Sequence, residues 1–328
     1  MSDRLAYPFK TCASDARMST LPIPVIRKRL WDLYCKARRA FWHPEEINTS
    51  EDIDTYRTLD APLKHIINRA LAMFANSDGI VNVNLVQCFM QEIDILEVKY
   101  FYGLQFAIEN VHAEVYAKIL IDLVVDQAEC DKLIHAPDTI PVIGKMSKWM
   151  YDTIDKSIPL VERLFRMALV EGVFFQGQFL LIYYLEHMKI KLPGIFQSNR
   201  LISIDEGMHT MFAIELMNMA EPEFRISKKT AHELIIAAVD ISREYAEMIL
   251  PEPILGLNVN EMMLYIESLC DNLLILLGFD PLYESVHNFE FMEKINMRSH
   301  VCFFERRSTE YGISGGEKPV LSNPDALF

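Results

Sequence analysis

Ala107-Ile108-Glu109-Asn110-Val111-His112-Ala113-Glu114-Val115-Tyr116 lies inside a long apolar run, and its spacing decides the fold. Three residues advance an α-helix by about 300°, so Glu109 and His112 share one face. Tyr116, four residues beyond His112, continues that face. Ile95, Val98, Phe101, Tyr102, Ile108, Val115 and Ile119 recur around them at helical spacing, which carries a carboxylate and an imidazole into a core. Burying a charged carboxylate costs several kcal/mol unless something compensates it, and a divalent cation is the strongest compensator.

A single Glu-x-x-His arises by chance in many helices. Here it recurs at Glu206-Gly207-Met208-His209, again within a periodic apolar pattern, and an acid precedes each motif: Asp78 in FANSDGIV and Glu171 in MALVEGVFF. The gaps are 31 residues (78 to 109) and 35 residues (171 to 206). Each gap is long enough to climb one helix, turn, and descend the next to the same level. Four carboxylates and two histidines can then converge from four helices, which is the ligand set of di-iron and di-manganese carboxylate bundles with Asp in place of one Glu. Oxygen-rich ligation with one imidazole per metal suits iron or manganese better than zinc.

At 328 residues the chain supports one large domain or two ordinary ones. Lys and Arg number 32 against 46 Asp and Glu, a net charge of −14, which argues against nucleic acid as a partner. No GxxxxGK phosphate loop occurs. Residues 1–10 contain no apolar segment of the secretory kind. The longest apolar stretch, 167–185, is interrupted by Glu171, Gln176 and Gln178 and reads as a buried core helix, not a membrane span. Six scattered cysteines without CxxC spacing read as reduced thiols, so a cytoplasmic location is expected.

In chain order, residues 1–24 read as an arm. Helices are expected from about Val25 to Phe41, Pro62 to Val86, Cys88 to Val125, Val142 to Asp155, Leu160 to Met188, Gln197 to Met219, Lys228 to Leu250 and Asn260 to Leu277. Polar connections are expected at 45–54 and 126–138. No strand pattern appears, and no compositional seam divides 25–304. Residues 305–328 form a polar, glycine-bearing tail ending in Asp325-Ala326-Leu327-Phe328. On composition alone that tail is either a frayed end or a docking peptide.

Six segments together resemble the radical-generating small (β) subunit of class I ribonucleotide reductase in its eukaryotic and DNA-virus form: FWHPEEI (41–47), FANSDGIVNVNL (74–85), FYGLQFAIENVHAEVY (101–116), LVEGVFFQGQF (169–179), SNRLISIDEGMH (198–209) and FFERRSTEY (303–311). The resemblance implies an all-α, ferritin-like di-metal bundle elaborated with additional helices, assembled as a homodimer. It implies Asp78, Glu109 and His112 as ligands of one iron and Glu171, Glu206 and His209 as ligands of the other, with O2 as the oxidant. Manganese remains open on ligand type. Tyr116 would hold the radical in a pocket of Phe175, Phe179 and Ile202. Trp42, Asp205 and His112 would link the metals to the surface. Tyr311 would relay oxidation to a large catalytic subunit, docked through the tail, that reduces ribonucleoside diphosphates.

Physical chemistry supports several of these placements independently. Tyr116 is one turn from a ligand, and Phe175 and Phe179 fall four and eight residues after Glu171, on that ligand's face. By themselves they would be ordinary core, as would Trp42. Asp205, beside Glu206, can accept from a ligating imidazole and orient it. Two positions depart from the pattern: Ile204 stands where many relatives have arginine, and Val83 interrupts a segment often written VNENL. Other readings of the same ligands are a di-iron oxidase or desaturase acting on its own substrate, a ferritin-like iron store, and a purely structural helical protein.

Overall fold

Helices form every extended element of this computed structural model, which describes residues 7–11 and 25–294. Most of the 1–24 arm, the 305–328 tail and Tyr311 lie outside the described residues. The single pairing of extended backbone among the described residues is the Ile254–Leu257 bridge.

Helix α1 (Lys28–Ala40) ends before Pro44, which opens a 3-10 turn, Pro44–Glu46. Helix α2 (Ser50–Thr58) occupies part of the stretch expected to be a connection. It is short and mostly charged, and only Asp52 and Tyr56 are buried along it, too few to make an apolar period. Helix α3 (Ala61–Asn84) starts where the Asp60 carboxylate accepts from the Leu63 amide at 3.0 Å, with Pro62 in the first turn. It runs on through a π turn, Leu85–Phe89, and a last turn, Met90–Glu92.

The central helix, α4, spans Leu96–Leu123, so the start expected near Cys88 is corrected. Residues 88–92 belong to the end of the preceding helix, and the break falls at Ile93 to Ile95, both in extended backbone. These isoleucines are fully buried and only Asp94 between them is exposed, so the break carries little of the polar signal that marks a loop. The 126–138 stretch is likewise helical, as α5 (Gln127–Ile134) and a turn, Ala136–Thr139. Helix α6 is Pro141–Tyr151, and α7 is Leu160–His187 with a π turn at Val170–Phe174. Helix α8 (Pro193–Asn218) begins earlier than expected because Pro193 itself occupies the first turn. Helices α9 (Lys228–Ile249) and α10 (Val259–Leu276) are capped by Ser227 and Asn258.

Helices α3, α4, α7 and α8 close into a four-helix bundle, each touching the next around the ring. Helix α1 lies across α4 and α8, while α9 and α10 pair and cover α3, α6 and α7. By length and composition α7 could cross a membrane, but 89% of its apolar window is buried within this chain. It is a core helix of the bundle.

Both helices that carry the repeated motif are anchored at their N-terminal ends by a buried carboxylate. Glu97, in the first turn of α4, accepts from the Ile26 and Arg27 amides at 3.0 and 3.1 Å and pairs with the Arg27 guanidinium. Asp52 of α2 accepts from the Gly194 and Ile195 amides at the start of α8, at 3.1 and 3.0 Å. Position 194 must be glycine, because a Cβ there would lie 2.4 Å from both the Asn48 carbonyl and the Asp52 carboxylate.

Candidate metal centre

Asp78 comes from α3, Glu109 and His112 from α4, Glu171 from the π turn of α7, and Glu206 and His209 from α8. All six are buried. Their ligand atoms form two groups, Asp78–Glu109–His112 and Glu109–Glu171–Glu206–His209, with the atoms of each group within 4.8 Å of one another. Glu109 belongs to both and so stands between two positions. The two imidazoles face the same pair of carboxylates. His112 Nδ1 lies 3.1 Å from Glu109 and 3.2 Å from Glu206, and His209 Nδ1 lies 3.1 Å from Glu109 and 3.3 Å from Glu206.

The polar atoms left over test whether metal ions fit. Both oxygens of Asp78 are buried without a hydrogen-bond partner, and Glu206 Oε1 meets only the His112 ring nitrogen at 3.2 Å. An unpartnered buried carboxylate is among the most costly arrangements a core can hold. Four carboxylates carry the charge that two divalent cations neutralise, and the donor set of oxygens plus one imidazole nitrogen per position matches hard or borderline metals. The residues therefore fit a dinuclear site.

The electrostatics point the same way. Burial holds Asp78 and Glu171 well above the ordinary carboxylate range, with neighbouring glutamates adding to the rise. Burial also acts on Glu109, but hydrogen bonds to His112 and His209 outweigh it and bring that carboxyl down. For His112, burial opposes the charged form, and its bonds with Asp205, Glu109 and Glu206 raise it well above the usual imidazole value. His209 is raised in the same way by Glu109 and Glu206.

Tyr116 is 2% exposed and its hydroxyl has no hydrogen-bond partner. Burial, followed by the charges of Asp78 and Glu206, pushes its ionisation well upward, so the phenol keeps its proton. Its ring stacks on Phe74, with centroids 4.8 Å apart and planes 3° from parallel. Phe179 and Phe175 pack on Phe74 in turn, at 4.7 and 5.7 Å. Ile202 is buried in the same core. Phe175 and Phe179, two of the three expected pocket residues, thus pack on Phe74, which the sequence reading missed. The signal was present, since Phe74 sits one turn before Asp78 on its helix.

On the other side of His112, Nε2 lies 3.2 Å from Asp205 Oδ2, and the same oxygen accepts from Trp42 Nε1 at 2.8 Å. The Trp42 indole is fully buried and stacks on the His112 ring at 5.8 Å. Gln105, also missed, is one turn before Glu109, and its amide donates to Glu171 Oε1 at 2.7 Å and lies 3.3 Å from Glu109 Oε1. Ile204 and Met208 form a small apolar cluster with Ala40.

Four helices, each presenting a carboxylate inward and two adding a histidine one turn later, define a ferritin-like carboxylate bundle with a candidate dinuclear site. Comparison with known proteins narrows this class. Residues 23–289 match the family described as ribonucleotide reductase, small chain. The chain is 38% identical over 288 residues to a ribonucleoside-diphosphate reductase small chain of Arabidopsis thaliana, covering 88% of this chain and 84% of that protein. It is 38% identical over 306 residues to the small chain of Vaccinia virus, covering 93% of each. Among solved structures, the ribonucleotide reductase Rnr4 homodimer of Saccharomyces cerevisiae superposes with a TM-score of 0.73 at 28% identity, covering 90% of both chains. The chain belongs to the ribonucleotide reductase small-chain family, and its reaction class is that of ribonucleoside-diphosphate reductase.

Proposed function

We propose that this small subunit stores an oxidising equivalent as a radical on Tyr116 and lends it to a separate large subunit, which reduces ribonucleotides to deoxyribonucleotides. The observation that carries this reading is a buried phenol with no hydrogen-bond partner, one turn from the ligand His112 and under the direct charge influence of Asp78. Asp78, Glu109 and His112 would hold one ion and Glu171, Glu206 and His209 the other. Two iron ions, when bound, supply a one-electron oxidant from O2; manganese offers the same donor preferences.

Tyr116 would give up one electron and, because its phenol is held neutral, one proton, both to the oxidant that O2 supplies at the metal pair. Phe74, backed by Phe175 and Phe179, excludes water and reductants from the oxidised ring. Trp42, Asp205 and His112 form the hydrogen-bonded line along which the equivalent leaves the centre. Tyr311 and the terminal Phe328 act in handing it to the large subunit, with the tail as docking peptide. The chain works as a homodimer, and the exposed apolar side chains Val83, Val86 and Phe106 on α3 and α4 supply its contact face. The four described cysteines are unpaired, which suits the reducing cytoplasm.

Aerobic loading of the apoprotein with Fe(II), followed by electron paramagnetic resonance, tests this reading. A stable tyrosyl radical is expected in wild type and none in Tyr116→Phe. A wild-type protein that forms no radical, or a variant that keeps the same stable signal, would overturn it. Turnover of a small substrate without a large subunit would favour the oxidase reading instead.

A further inference from the structure

We propose that Gln105 is a positioning residue that makes the two metal positions unequal, by restricting Glu171 to one free oxygen while Asp78 keeps two. The inference rests on the metal-centre reading above and concerns how that centre is filled.

The two acids that stand alone on their helices, Asp78 and Glu171, differ in what surrounds them. Neither oxygen of Asp78 has a hydrogen-bond partner, so both are available to a cation. Glu171 Oε1 is engaged by the Gln105 side-chain amide at 2.7 Å. The same nitrogen lies 3.3 Å from Glu109 Oε1, one turn along α4. A primary amide nitrogen carries two N–H donors, so one Gln105 group can serve both carboxylates. Its orientation follows from its neighbours: two carboxylate oxygens face it, and turning the amide round would set an acceptor against acceptors. Gln105 is itself 3% exposed, so water does not compete for these bonds.

The backbone beneath Glu171 offers little compensating freedom. Glu171 lies in the Val170–Phe174 π turn, and that turn is pressed against α8 so closely that a Cβ on Gly172 would lie 2.8 Å from Thr210 Cγ2. With the main chain held, the remaining variable is rotation of the Glu171 side chain, and Gln105 fixes it. That leaves Glu171 with Oε2 as its one free oxygen for a cation, whereas Asp78 would offer either or both of its oxygens. Hydrogen bonds to ligating carboxylates of this kind commonly change metal affinity by about 10- to 100-fold when removed.

The test is Mn(II) titration of the metal-free full-length protein, read by low-temperature electron paramagnetic resonance, in wild type, Gln105→Met and Asp78→Ala. Gln105→Met keeps the length of the side chain and removes its donors. Wild type is expected to bind two Mn(II) per chain with a spin-coupled signal. Gln105→Met should keep one position at wild-type affinity and weaken the other by about tenfold or more, so that at two equivalents an uncoupled six-line signal dominates. Asp78→Ala should weaken the opposite position. Gln105→His, which keeps an N–H donor, should recover part of the coupled signal, a response that loss of packing alone would not give. Should Gln105→Met fail to fold, Gln105→Asn keeps the amide but withdraws it by one methylene and carries the same two outcomes. Unchanged binding at both positions, or equal weakening at both with the fold intact, would overturn the proposal. Failure of wild type to bind a pair of ions would overturn the metal-centre reading, and with it this inference.

Discussion

The two halves of the centre are built from the same motif and differ in their surroundings. In the Asp78–Glu109–His112 half, the second nitrogen of His112 is tied through Asp205 to Trp42, and the Tyr116 phenol lies one turn further along. In the Glu171–Glu206–His209 half, the His209 ring meets Phe101 edge-on, Phe101 stacks on Phe212 at 3.7 Å, and Glu171 is held by Gln105. One half is followed by the phenol and joined by hydrogen bonds to the buried Trp42 indole. The other is packed against hydrocarbon. Repetition of Glu-x-x-His supplies ligands twice, and the residues around each copy assign it a role.

The comparison breaks most completely at Glu109, the ligand common to both halves. Glu109→Ala is expected to take bound metal from two ions per chain to nearly none, with loss of radical and activity, whereas Glu171→Ala should spare the Asp78 position. Metal analysis after loading and desalting checks both. Next in size, Trp42→Phe removes the donor to Asp205 and nothing from the ligand set. It should leave two ions and the radical in place while reductase activity with the large subunit falls by about 100-fold or more, equivalent to about 3 kcal/mol in the rate-limiting step. A truncation on the other side, Phe101→Leu, should leave electron delivery alone, since Phe101 meets His209 only through its ring edge.

Acidity should separate the metal-free from the metal-bound protein. Burial raises Asp78 and Glu171, and hydrogen bonding raises His112 and His209, so all four hold protons at a pH where the free side chains have begun to lose them. Metal binding must displace those protons, so affinity rises with pH and falls as pH is lowered, by about tenfold per unit for each proton released. Calorimetry in buffers of different ionisation enthalpy counts them. The smallest effect is expected away from the ligands. Asp52→Ala removes the buried acceptor at the start of α8 and should cost about 1–2 kcal/mol of stability, read by denaturant unfolding.

Much of this centre is legible in the sequence because its logic is periodic. The six ligands stand out as acids and imidazoles recurring on apolar faces, and the two gaps match the lengths of helices that return to one level. The Trp42–Asp205–His112 line becomes readable only through family resemblance, since no local pattern joins residues 42, 112 and 205. Helix ends were read less well wherever the core itself breaks. Ile93 and Ile95 interrupt a helix with only Asp94 between them as a polar residue, and a π turn just before them shifts the phase on which periodicity depends. Helices α2 and α5 are too short and too charged to show a period. Asp52 looks like a surface acid, and only the fold brings two amides of α8 to it. Phe74 and Gln105 carried a usable signal, each one turn before a ligand, but aromatic and amide side chains on a buried face are common enough that the signal points to a role only when the partner across the bundle is known.

The central claim is geometric, and X-ray absorption on the iron-loaded protein tests it most directly. Two ions enclosed by the six side chains should give a metal–metal scattering shell at about 3.5–4 Å, around a first shell of oxygens with one imidazole nitrogen per iron, and Glu109→Ala should erase that shell. Iron bound with full occupancy but no metal–metal shell would show that the six side chains do not enclose a pair, and would contradict the account.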